Sequence, residues 1–171
     1  NGVVSINTGV GSADILSIGL NGGYGYYRMN AGSLITGQLA LGGNSANATG
    51  VFDMNGGIVT VNGGWLLAGG WQAGSRGVIS LFGGTMTGPG ANPVSLSIFN
   101  NQGAEGIINM LGSGAVLIAT NNSNGVNMMG GTGNTNAAFN LNAGTLVTRS
   151  IYQYAAGSAQ FNFNGGTLRP F

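Results

Sequence analysis

Residues 52–61 read FDMNGGIVTV: apolar, polar, apolar, then Asn, then a glycine pair leading into a β-branched run. Nearly the same phrase returns as FNLNAGTL at 139–146 and FNFNGGTL at 161–168. Aligned on this phrase, the chain holds seven copies: VSIN (4–7), YRMN (27–30), FDMN (52–55), ISLF (79–82), INML (108–111), FNLN (139–142) and FNFN (161–164). Each copy alternates with period two, as a strand does when one face is buried. Stacking the copies puts Val4, Tyr27, Phe52, Ile79, Ile108, Phe139 and Phe161 in one inward column. Ile6, Met29, Met54, Leu81, Met110, Leu141 and Phe163 make a second. Ser5, Arg28, Asp53, Ser80, Asn109, Asn140 and Asn162 lie between them and are expected to face solvent.

A second alternating segment follows in six units: LSIG (16–19), LALG (39–42), LLAG (66–69), LSIF (96–99), VNMM (126–129) and YQYA (152–155). This alignment places Tyr152 and Tyr154 inward. The opening segments are 23, 25, 27, 29, 31 and 22 residues apart. Repeats at such spacing are stacked units that cannot bury an apolar face alone. With strands and turns but no helical periodicity, they predict an all-β, single-stranded parallel β-solenoid of six to seven coils of 22–31 residues. The alternative, a β-sandwich, gives no reason for side-chain identity to recur at equivalent positions.

The recurring Asn then marks a corner, because Asn and the Gly after it tolerate the left-handed backbone of a sharp bend. Asn7, Asn30, Asn55, Asn142 and Asn164 are expected to stack as a ladder of side-chain amides. Phe82 and Leu111 replace Asn in units four and five and should interrupt it. Gly112-Ser113-Gly114 in unit five leaves room for a one-residue bulge.

The phrases GVFDMNGGIVTVNGGWLLAGG (50–70) and AQFNFNGGTL (159–168) resemble the β-strand repeats of bacterial autotransporter passengers. The likeness is to the very large repeat proteins of Gram-negative surfaces and of planctomycete and verrucomicrobial bacteria, and covers essentially the whole chain. The resemblance implies a right-handed, exported β-helix serving as an adhesin, surface layer or scaffold. Residues 1–171 are accordingly read as one solenoid domain, a segment of a longer chain or a fibre subunit that associates end to end.

Composition narrows the function. Of 171 residues, 36 are Gly and 4% are charged, against about 25% in an average domain. His and Cys are absent, and the acids are Asp14, Asp53 and Glu105. That inventory offers no metal cluster, no Ser-His arrangement and no cofactor motif, so neither catalysis nor a cofactor is expected. A glycosidase pair would have to come from those three acids, which sit in different units. Four scattered Arg residues and a net charge of +1 do not make a nucleic-acid footprint. No apolar run approaches the roughly 20 residues of a spanning helix, so this segment is not expected to insert in a membrane.

The expected role is thus structural and extracellular, a rod or fibre on or outside a bacterial cell. The alternative is an adhesin or glycan-binding module using the loops 87–95 and 117–125 together with exposed aromatics. Trp65, Trp71, Tyr24 and Tyr26 are the candidate ligand or fibre contacts, since rings stack on sugars. Against this stands the reading, given more weight, that several of these rings fill corners of the core.

Overall fold

Alternating side chains commit each repeat to strands, and glycine at the bends lets successive strands meet at a corner. In the computed structural model these strands stack as a parallel β-solenoid, with no helix among the described residues. The structure describes residues 2–6, 10–43, 45–63, 66–70, 72–88, 96–97, 103–120, 125–128, 136–153 and 156–171, with backbone alone at 2–6, 10–14 and 96–97.

Three stacks make up the coil. The opening stack runs through β1 (Gly2–Ile6), β3 (Tyr24–Met29), β5 (Thr49–Met54), the first half of β8 (Arg76–Thr87), the first half of β10 (Glu105–Ala119), β12 (Asn136–Leu141) and β15 (Ser158–Phe163). Its register is the one the repeat phrase predicts: Tyr27 pairs with Phe52, Phe52 with Ile79, Ile79 with Ile108 and Ile108 with Phe139. The second stack holds the first halves of β2 (Val10–Ile18) and β4 (Ser33–Leu41), then β6 (Ile58–Val61), the second halves of β8 and β10, β13 (Thr145–Thr148) and β16 (Thr167–Pro170). The third takes the second halves of β2 and β4, then β7 (Leu66–Leu67), β9 (Leu96–Ser97), β11 (Val126–Asn127) and β14 (Ile151–Tyr152).

The core is the space between these stacks. Both predicted columns of the opening stack are buried from Tyr27 to Phe139 and from Met29 to Leu141. Tyr27 lies flat on Phe52, with ring centroids 5.2 Å apart. The six to seven coils expected from spacing are corrected by the enclosed core, which spans about four turns. The reason is coverage: Phe161 is only half-buried and Phe163 is 58% exposed at the last opening strand, where no further strand is stacked on them.

Four finer expectations are also corrected. A complete strand stack follows the Asn-Gly corner, where the sequence reading had only a turn. Its inward column of Leu34, Val59, Met86, Leu117 and Leu146 is fully buried. Residues 117–119 therefore belong to β10 rather than to a loop at 117–125, and Thr87 to β8 rather than to the loop 87–95. In the third stack Val126 pairs with Ile151, so YQYA is offset by one residue and Ile151, not Tyr152, packs against the core. Tyr154 lies outside the described residues. Lastly, Met110 pairs with Leu81 but Gly114 with Gly83, so four residues of β10 advance against two of β8. The irregularity at Gly112-Ser113-Gly114 thus takes up two extra residues, not one.

Candidate functional site

Because the solenoid buries one side of each strand, its chemistry must lie on the outward rows and corners. At the corner, the residue with left-handed backbone is the glycine two positions after the Asn site rather than Asn itself: Gly32, Gly57, Gly84, Gly144 and Gly166 have φ between 76° and 90°. That bend aims the preceding Asn side chain along the stack. Asn55 Nδ2 donates to Asn30 Oδ1 at 2.7 Å, and Asn164 Nδ2 to Asn142 Oδ1 at 2.8 Å. Between these pairs the corner carries Phe82, 47% exposed, and Leu111, 41% exposed, as the sequence pattern foretold. Asn7 lies outside the described residues.

A second amide ladder was not anticipated. Asn162 Nδ2 donates to Asn140 Oδ1 at 2.7 Å, and Asn140 Nδ2 to Asn109 Oδ1 at 2.8 Å. These residues share one outward row of the opening stack and are half-buried against each other. The signal was present in the sequence as INM, FNL and FNF, three Asn at one register position. Ser80 extends the same row towards Asp53 and is 8% exposed, so it is buried where solvent exposure was expected. It is flanked by the longer Asp53 and Asn109.

Charged groups on the opening stack are partnered within a strand or across coils. Tyr26 and Arg28 are two apart on β3, so their side chains leave the same face. The Tyr26 hydroxyl donates to Asp53 Oδ2 at 2.6 Å, and Arg28 Nε donates to the Tyr26 hydroxyl at 2.7 Å. The Arg28 guanidinium also stands 5.3 Å from the Tyr26 ring centroid. Burial first, and then the hydrogen bond to Asp53, raise the Tyr26 phenol above its ordinary value, with Arg28 opposing. Burial does the same to Tyr27. One row over, Arg76 Nε meets Glu105 Oε2 at 2.9 Å, an exposed pair of the kind worth at most about 1 kcal/mol. Glu105 begins β10.

These phenols give the rod an alkaline limit. The folded chain holds both protons more tightly than the unfolded chain, so the stabilisation is complete below pH 10.0 and is lost as pH rises through the raised values. Urea-unfolding midpoints should fall on crossing pH 10 and fall less in Tyr26→Phe. A midpoint just as sensitive in Tyr26→Phe/Tyr27→Phe would contradict this assignment.

The four aromatic candidates separate. Tyr24 opens β3 with 45% of its surface exposed, beside a shallow cavity of about 290 Å³ that Leu20 and Tyr26 also line. Tyr26 is committed to Asp53 and Arg28. Trp65 and Trp71 lie outside the described residues, as do 89–95 and 121–124 of the candidate loops. Asp53 and Glu105 sit two strands apart and four register positions apart, hence about 16 Å between Cα atoms. Glycosidase carboxyl pairs stand ~5–9.5 Å apart. Among the described residues, no group of three His, Cys, Asp or Glu converges, and no helix is long and apolar enough to cross a membrane. No protein-family model matches the chain, and neither curated proteins nor solved structures give a match.

Proposed function

We propose that this chain is a structural, non-catalytic rod of the bacterial exterior, a right-handed solenoid that continues into further repeats or stacks end to end. The observation that carries the reading is register. Opening strands pair residue for residue, Phe52 over Ile79 over Ile108 over Phe139, and the backbone hydrogen bonds run through the corners, as from Ile58 N to Gly32 O and from Thr85 N to Gly57 O. A chain bonded along one axis is stiff in that direction and offers few unpaired strand edges to proteases. Right-handed winding follows the rule for parallel strands joined within one sheet. The extracellular role rests on the resemblance to passenger repeats. The non-catalytic reading draws support from Asp53 and Glu105, each held by a neighbour on the opening stack and too far apart to cooperate.

Electron micrographs of native material should show uniform rods one coil wide, with an axial repeat near ~4.8 Å in diffraction. Globular particles would overturn the proposal. One observation favours a second reading as a glycan-binding module, namely the exposed Tyr24 ring beside its shallow cavity. Glycan binding that is lost in Tyr24→Ala with the rod intact would establish it.

A further inference from the structure

The two broad faces of the coil differ in chemistry. Outward rows of the opening stack mix Arg28, Asp53, Arg76 and Glu105 with amides and rings. The second stack is uniform. Over six strands, its outward–inward–outward triplets read SLI, IVT, TMT, VLI, TLV and TLR from residues 33, 58, 85, 116, 145 and 167. Eleven of the twelve outward positions are therefore Ser, Thr, Ile or Val, and the exception is Arg169 on the last strand. All twelve are exposed or half-buried, and Ile35 and Ile58 are among the exposed ones. Pairing within this stack is continuous from Ser33 to Pro170, since the β10 irregularity falls before it.

Such a face is a grid. Side chains repeat every ~4.8 Å from coil to coil and every ~6.6 Å from one outward residue to the next along a strand. β-branched side chains hold χ1 nearly fixed, so methyl and hydroxyl positions repeat with the backbone. The absence of charge over the first five strands argues against nucleic acid or an anionic lipid surface as the occupant. The absence of rings argues against a crystalline glycan, which is gripped by aromatic stacking. Area argues against a second copy: two such faces pressed together bury about 700 Å², against the ~1,200 Å² at the low end of stable interfaces.

What remains is a neutral, ordered, periodic surface made of water. Oxygen atoms on faces of hexagonal ice repeat on rectangular grids of comparable dimensions. Hydroxyls such as those of Thr60, Thr85, Thr87 and Thr145 can bond lattice water, while the intervening methyl groups hold water in ordered cages. We infer that the outward face of the second stack is an ice-binding surface, with the rod serving to keep the grid flat.

Ice grown slowly from a dilute solution of the 171-residue chain should incorporate it. Incorporation should drop at least tenfold in Thr60→Lys/Thr87→Lys and in the uncharged variant Thr87→Tyr, with far-ultraviolet circular dichroism unchanged. Gln160→Lys, exposed on the opening stack, should behave as wild type. Exclusion of the wild-type chain from ice overturns the inference. So does undiminished incorporation of either second-stack variant with its strand signal intact. Co-sedimentation with cellulose or chitin but not with ice would assign the face to a crystalline glycan instead.

Discussion

Met54→Asp should destabilise the rod by about 4 kcal/mol or more, among the largest effects open to a single substitution here. Met54 has no solvent-exposed surface and is stacked in register between Met29 and Leu81. Met54 belongs to the buried hydrophobic cluster, and an unpaired buried charge there cannot be accommodated without opening the coil or taking up a proton. The adjacent position supplies the control. Asp53 lies one residue away and points outward, where its half-buried side chain accepts from Tyr26, so Asp53→Asn, which keeps an acceptor there, should shift stability by far less, about 1 kcal/mol. Because each coil touches only its neighbours, the damage should be regional, with protease cutting near β5 before the other coils yield. Thermal melts of the two variants decide the matter. If Met54→Asp melts like wild type, Met54 does not face inward and the column assignment fails.

That contrast between neighbouring residues is also why so much of the fold was legible. Period two is fixed by the pleat, so FDMN declares its inward pair regardless of what surrounds it. Recurrence then supplies the register, because parallel coils stack like on like, and Tyr27, Phe52, Ile79, Ile108 and Phe139 align as written. Departures occurred where the pattern is short or the geometry lies in the backbone. IVTV and TLVT alternate only twice, directly after Gly57 and Gly144 at the corner, and so read as part of a turn although they form β6 and β13. In IYQY, Ile151 and Tyr152 are both large and apolar, and alternation cannot choose between them. The unfolded sequence cannot show that Gly114 pairs with Gly83, because two skipped residues leave no trace in composition. Of the candidate site, the corner ladder was legible because Asn recurs at one position. The Tyr26–Asp53 contact was not, since it joins residues 27 apart that become neighbours only when the coils stack.

The other large expected effect concerns glycine, and tests the corner between the third and opening stacks. Gly25, Gly50, Gly77 and Gly106 occupy one register row at the start of the opening strands. Gly50 has an ordinary backbone conformation, so its lack of a side chain is not explained by φ. Space explains it. A Cβ there would run into Ile18 O and would lie 2.6 Å from Gly42 N and 2.9 Å from the Leu41 Cα, all backbone atoms that cannot rotate away. Gly77 meets the same obstacle one coil on, with Gly69 N at 2.7 Å. Gly50→Val should therefore cost about 3 kcal/mol or more, at the upper end of overpacking, because the obstruction is main chain rather than a repackable side chain. Further along the row β12 and β15 carry Ala137 and Ala159, so the contact is tight only at particular coils. Ala137→Gly should accordingly cost no more than about 1 kcal/mol, the usual penalty of glycine in a strand. Urea-unfolding midpoints of the two variants separate the explanations. Equal, small losses would mean that the glycine row reflects turn flexibility. A large loss confined to Gly50→Val would mean that the abundance of glycine in this chain comes from backbone packed on backbone, which is how a coil this thin closes.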